Sequence, residues 1–274
     1  MLVQVNIFNL KKNTHMLNHS EISEFNQNGF LVKKMITTQS HLDEMRDVAI
    51  NHFDNLVEPI EYEADLNYPG APDSKKAAGG TTSRRLLQAY ARHNSFQRWA
   101  KNSILAQSLR SLFSSKNEIL LSQCHHNCVM TKAQSYSSAT LWHQDNRYWS
   151  FDEENLISVW LALGDESKFN GCLYVIPGSH RLVVNSDRFD DYLFLKSNDL
   201  ENKQLFNQAK AVELKKGEVL FFHSKLFHAA GRNNTSEKKL SVVFTYHESG
   251  NNPIIGSRSA RQASILISRA SKSD

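Results

Sequence analysis

His143 and Asp145 stand two positions apart in "LWHQDNRYWSF" (residues 141–151), an aromatic run of the kind that forms a half-buried strand. Successive strand side chains alternate faces, so His143 and Asp145 are expected to point one way, Trp142 and Gln144 the other. An H-x-D pair so arranged can chelate one ion. Taken alone it is a weak signal and reads more readily as an exposed pair beside a turn.

A metal centre needs a further imidazole, and His180, His223, His228 and His247 are the downstream candidates. The informative stretch is "KKGEVLFFHSKLFHAAGRN" (residues 215–233). Lys216-Gly217 reads as a turn and "EVLFF" as a buried strand. A second short strand carries His228, beside which the small Ala229 and Ala230 leave room for a ligand to face a cavity. Two histidines and one carboxylate with open opposite positions are the donor set of non-haem Fe(II) oxygenases. A competing zinc reading of "QCHHNC", on Cys124, His126 and Cys128, is poorer. Three consecutive same-face positions of one strand do not wrap a tetrahedral ion.

The elements that must position these groups begin with helices. Asn18 and Ser20 can cap one through "SEISEFNQN", ended by Asn28-Gly29, and Ser40 with Asp43 opens a second carrying Leu42, Met45, Ala49 and Phe53. From Val57 to Ser83, Pro59, Pro69, Pro72 and Gly79-Gly80 break the periodicity into a long loop, and loops of that length are usually functional. Helices return at "SFQRWAKN" and "SILAQSLRSLF". From Ile119 on, short segments bounded by Gly, Asn and Ser follow: "ILLSQCHHNCVMTK", "TLWHQDNRYW", "LISVWLAL", "CLYVIPG", "AKAVELKKGEVLFF", "FHAAG" and "LSVVFTYH". Many short strands at this spacing predict a sandwich or barrel. The expected organisation is a flexible 1–17, then one domain over 18–274, with a helical layer at about 18–115 and the β-core at about 116–250. Met16 as well as Met1 is a candidate start.

In order along the chain, "WHQD", "ISVWLAL", "NGCLYVIPGSHR" and "GEVLFFHSKLFHAAGRNNT" resemble the motifs of the phytanoyl-CoA dioxygenase family of Fe(II)- and 2-oxoglutarate-dependent oxygenases. The resemblance spans roughly residues 20 to 247. It implies a mainly β chain with N-terminal helices and a double-stranded β-helix (jelly-roll, cupin-like) core. It also implies His143, Asp145 and His228 as catalytic iron ligands, with 2-oxoglutarate and O2 as cosubstrates. The implied reaction hydroxylates an unactivated carbon of a small molecule or acyl conjugate and releases succinate and CO2. Related halogenases leave the carboxylate position empty for chloride, so Asp145 implies hydroxylation. The segments 57–83 and 181–210 are the expected cover of the site.

The resemblance further places the cation for the cosubstrate's carboxylate 11 residues after the distal histidine, at Lys239, with Ser241 on the same strand face. Many relatives carry arginine there. Lysine supplies charge without the planar two-pronged grip, which leaves Lys238 and Arg85 as alternatives. Trp160 and Cys128 match positions beside the cosubstrate, and Arg85 matches a basic residue near it, a role Arg84 could exchange. Gln144, inside "WHQD", joins the cosubstrate set. The plain alternatives are core packing for Trp160 and a small buried side chain for Cys128.

Composition narrows the partners. Hydrophobic residues at 40% are enough for a substantial core. The net charge of +4 is spread along the chain rather than gathered into a patch, which argues against nucleic-acid or membrane partners and against a nucleobase substrate. Three cysteines without framework spacing, and no apolar signal core at the N-terminus, point to a reducing cytoplasm. No apolar run approaches the roughly 20 residues that span a bilayer. The alternative function is a catalytically inactive jelly-roll protein that binds a small molecule, which would carry a broken triad or lack the cation.

Overall fold

A computed structural model describes residues 16–34, 36–66 and 68–268. The expectation of a flexible N-terminus lies, up to residue 15, outside the described residues.

The described strands, in chain order, are β1 (Phe30–Lys33), β2 (Ile60–Tyr62), β3 (Ser83–Leu87), β4 (Ile119–Lys132), β5 (Thr140–His143), β6 (Ile157–Ala162), β7 (Leu173–Val175), β8 (Lys210–Val212), β9 (Val219–His223), β10 (His228–Ala230), β11 (Lys239–Glu248) and β12 (Ile265–Ser268). They form two sheets with antiparallel pairing. The larger runs β1-β9-β6-β11-β4-β3-β2 with β12 added beside β4, and the smaller runs β5-β10-β7-β8. This is the jelly roll that the strand spacing and the motifs led us to expect.

The larger sheet explains where the core and the site sit. Alternate residues of its strands, Leu86, Val129, Val159, Leu161, Phe221 and Val242, face outward in one apolar cluster with Leu42, Met45, Phe96, Trp99, Leu105 and Leu109 of the helices. Burying each such side chain stabilises the fold by roughly 1.5–3 kcal/mol, so this face anchors the sheet. The residues between them face inward. Trp160, Leu220, Phe222 and Val243 pack there against Leu173 and Val175 of the smaller sheet. Polar residues flank this apolar middle on the inner face, Ser158 and Thr245 at one end and Lys132, Lys239 and Ser241 at the other.

The helices are α1 (His19–Asn28), α2 (Gln39–Asp54), α3 (Ala89–Arg92), α4 (Asn94–Ala100), α5 (Ser103–Phe113) and α6 (Leu200–Phe206). Asn18 caps α1: its side chain accepts from the Glu21 N–H at 3.0 Å, while the Asn18 N–H donates to the Glu21 carboxylate at 2.8 Å. Gly29 ends that helix with φ +79°, a left-handed conformation glycine adopts without strain. α2 starts earlier than the sequence suggested. Thr38 is its cap, accepting from the His41 N–H at 3.2 Å, because it is the residue still in extended conformation.

Three boundaries differ from expectation. The stretch 57–83 is not one loop, since β2 and β3 bracket it and pair along the edge beyond β4. Residues 18–115 therefore contribute β1, β2 and β3 to the larger sheet as well as the helices. Runs of three to five residues are too short to show a period. β12 pairs with the start of β4, so the sheet extends past residue 250.

Candidate active site

β5 and β10 pair with His143 directly opposite His228, which brings the two rings to 4.3 Å between centroids. Asp145 is not on the strand. β5 ends at His143, and Asp145 opens a 3-10 turn, Asp145–Tyr148. The turn, rather than strand alternation, brings the carboxylate back. Asp145 Oδ1 lies 3.7 Å from His143 Nε2 and 3.5 Å from His228 Nε2.

The ring tautomers follow from the second nitrogens. His143 Nδ1–H donates to the Leu141 carbonyl at 2.8 Å and His228 Nδ1–H to the Leu226 carbonyl at 3.0 Å. A carbonyl only accepts, so each Nδ1 carries a proton, and the lone pair of the neutral ring is then on the Nε2 that faces Asp145. All three side chains are buried, and neither oxygen of Asp145 has a hydrogen-bond partner. Burial, then the proximity of the His228 ring, push the His143 imidazole down to about 4, which keeps its lone pair free at neutral pH. Burial acts to raise the Asp145 carboxyl, but His126, His228 and His143 together hold it below its ordinary value, so it is ionised.

An ionised, fully buried carboxylate without hydrogen bonds is costly unless something compensates it. The three ligand atoms lie within 4.8 Å of one another. Two imidazoles and a carboxylate so placed, with orphaned oxygens between them, fit a divalent transition metal.

Sequence reasoning missed a neighbouring pair. In β4, Ser122 pairs with Thr245 and Asn127 with Phe244, so the intervening residues 123–126 bulge out of register, with His125 at φ +61°. His126 Nδ1 lies 3.4 Å from Asp145 Oδ2, and His125, His126 and Asp145 form a second cluster with metal-ligand spacing. Neither cluster contains a cysteine, so the zinc reading fails. The Cys128 thiol donates to Met130 Sδ at 3.7 Å, and burial pushes it up to about 12. The signal available was the polar "QCHHN" interrupting an otherwise apolar strand.

His223 stands apart from the triad. Its Nδ1 accepts from the Lys225 N–H at 3.1 Å and its ring faces His180 at 5.5 Å, beneath the turn that follows β7.

A cavity beside His143 and His228 is lined by Arg84, Arg85, Lys132, Trp160 and Lys239 among others. Of the residues expected to meet the cosubstrate, Lys239, Trp160 and Arg85 line it. Gln144 does not: its amide donates to the Lys225 carbonyl at 2.6 Å and braces the loop before His228. Lys238 is half exposed and paired with Asp54, which corrects that alternative. Arg85 pairs with Glu61 at 2.8 Å, and Arg84 donates to Ser138 Oγ at 2.6 Å and Thr140 Oγ1 at 3.0 Å.

The residue no sequence cue marked is Glu166, which is fully buried at this end. Its carboxylate accepts from Lys239 Nζ at 3.0 Å, Ser241 Oγ at 2.6 Å and Trp160 Nε1 at 2.8 Å. Ser241 and Trp160 thus act on Glu166. The backbone of Glu166 is fixed by a two-way bridge to Leu214.

A family model described as phytanoyl-CoA dioxygenase (PhyH) matches residues 25–240. The chain is 33% identical over 101 residues to the phytanoyl-CoA dioxygenase of Arabidopsis thaliana, 35% of this chain and 34% of that protein. It is 32% identical over 108 residues to the peroxisomal phytanoyl-CoA dioxygenase of Homo sapiens, 37% of this chain and 32% of that protein. The chain thus aligns with about a third of the length of these curated relatives. Among solved structures, EctD from S. alaskensis with 2-oxoglutarate and 5-hydroxyectoine superposes with TM-score 0.72 at 20% identity, over 94% of this chain and 86% of that one. The non-heme alpha ketoglutarate dependent carbocyclase SnoK from nogalamycin biosynthesis superposes with TM-score 0.70 at 15% identity, over 95% and 96%. At these identities the likeness is one of fold. With the family model covering well over half of the residues, the chain belongs to the phytanoyl-CoA dioxygenase family.

Proposed function

We propose that the protein is an Fe(II)- and 2-oxoglutarate-dependent dioxygenase that hydroxylates an unactivated carbon of a small molecule or acyl conjugate, releasing succinate and CO2. The observation that carries this reading is the buried His143–Asp145–His228 cluster, in which both imidazole Nε2 atoms converge on Oδ1 of a carboxylate that has no hydrogen-bond partner. Iron bound there would hold the 2-oxo acid and O2 together so that decarboxylation drives oxidation of the substrate.

The chain's own part is positioning and exclusion of water. The Leu141 and Leu226 carbonyls fix the two rings, and Gln144 braces the loop between them. Phe194 and Tyr148 each set an edge against the His143 ring, at 5.7 and 5.9 Å, and Phe222 lies 5.2 Å from His228. Tyr148 also lines a second, larger cavity of about 550 Å3 with Tyr68, Leu141, Arg147 and Phe194. Tyr148 and Phe194 link that space to the His143 ring, and its aromatic walls suit a substrate with an apolar body. Tyr68 comes from segment 57–83 and Phe194 from segment 181–210, and their rings meet at 5.5 Å over this space, which supports the covering role expected of both segments.

No triad position is replaced, which weighs against the inactive binding module. Asp145 favours hydroxylation over halogenation. No described helix is long and apolar enough to cross a membrane, and all three cysteines are unpaired, in keeping with a reducing compartment such as the cytoplasm.

The test is a metabolite screen for succinate release by the iron-loaded enzyme under O2. A substrate that drives succinate formation in the native protein and none in His228→Ala is the expected result. Unchanged turnover in His228→Ala would sink the assignment.

A further inference from the structure

Lys239 and Lys132 are direct partners in the β11–β4 register, so their side chains leave the same face of the larger sheet, and both line the cavity beside the triad. They differ in what they touch. Lys239 is paired with Glu166, and the groups that would grip a ligand carboxylate here, Lys239 Nζ, Ser241 Oγ and Trp160 Nε1, already grip that one. Releasing Glu166 would leave a buried carboxylate without partners.

The remaining cavity cations are matched as well, with one exception. Arg85 has Glu61 at 2.8 Å, and Arg84 has the buried Glu63 at 3.6 Å. Lys132 Nζ donates to the Ser138 carbonyl at 2.8 Å, and no carboxylate of the described residues lies within ion-pair distance of it. Its stem is held in place: a methyl group added to Gly171 would come within 2.8 Å of Lys132 Cδ. Burial, then the charges of Arg84 and Lys239, push the Lys132 ammonium well below its ordinary value, as expected of a cation whose anion has yet to arrive.

Resting on the reading of a 2-oxo acid cosubstrate, we propose that Lys132, not Lys239, is the counter-ion for the cosubstrate's distal carboxylate, and that Glu166 withholds Lys239 from that role. The pairing balances charge: Glu166 cancels Lys239, and the incoming carboxylate cancels Lys132. Glu166 is then a specificity element, since it neutralises Lys239 and leaves Lys132 as the one lysine of this face whose ammonium form an incoming carboxylate would stabilise.

Calorimetric titration of the Mn(II)-loaded protein, which binds without turning over, compares 2-oxoglutarate with 2-oxovalerate, the same carbon chain without the distal carboxylate. The native protein should prefer 2-oxoglutarate. Lys132→Met should weaken 2-oxoglutarate about 30-fold, or about 2 kcal/mol, with 2-oxovalerate unchanged, so that the preference disappears. The double variant Lys239→Met/Glu166→Gln removes the neutral pair as a unit and should keep the preference within about threefold. Retained preference in Lys132→Met, or loss of it in the double variant, overturns the proposal, and the double variant alone decides if Lys132→Met does not fold. A native protein that binds neither oxo acid overturns the cosubstrate reading itself.

Discussion

Two fully buried carboxylates lie behind the walls of one cavity, Asp145 behind His143 and His228 and Glu166 behind Lys239 and Trp160, and their surroundings are opposite. Asp145, at the triad, has two imidazole lone pairs aimed at it and no hydrogen bond to either oxygen. Glu166 has a lysine, a serine and a tryptophan donating to it. Acceptors facing acceptors make a site that is complete only with a cation. Donors facing an acceptor make a site that is complete already. The difference teaches that burial of an acid does not mark a ligand site, whereas burial without donors does.

The largest expected break in this comparison is loss of the metal site. His228→Ala should weaken divalent-metal binding by well over the roughly 100-fold seen when only an outer supporting partner is lost. Next is the paired amide substitution in metal-free protein. Glu166→Gln leaves Lys239 buried and unpaired and should cost about 3–5 kcal/mol in denaturant unfolding, while Asp145→Asn should cost less than about 1 kcal/mol, since it breaks no hydrogen bond. Equal losses would erase the distinction between the two acids. Smaller again is the stabilisation by added Mn(II): at a hundredfold excess over its dissociation constant the native protein should gain about 2.7 kcal/mol, and Asp145→Asn none. The smallest effect is expected of His223→Ala, within about 1 kcal/mol of native stability and with metal binding intact. A loss matching that of His228→Ala would mean that the second histidine is misassigned.

Much of this was legible in the sequence, for reasons that differ by residue. The β-core announced itself because segments such as "ISVWLALG" and "LSVVFTYH" are apolar, short and bounded by turn residues. His228 was separable from His223 because only His228 is followed by two alanines. Asp145 was expected beside His143 for the wrong reason, since strand alternation was invoked where a 3-10 turn brings the carboxylate back. β2 and β3 were hidden by their length. Glu166 in "GDESKFNG" looks like any solvated loop acid, and Lys132 at the end of "VMTK" like any solvated strand end. Their burial comes from the bridge of Glu166 to Leu214 and the register of β4 with β11, which join residues distant in sequence and leave no local trace.

The most direct test of the central claim is the stoichiometry of Fe(II) binding under anaerobic conditions, measured by calorimetry on native protein, His228→Ala and His223→Ala. One ion per chain in the native protein and in His223→Ala, with none in His228→Ala, is the expected result. Full binding by His228→Ala would contradict the assignment of His143, Asp145 and His228 as the metal centre.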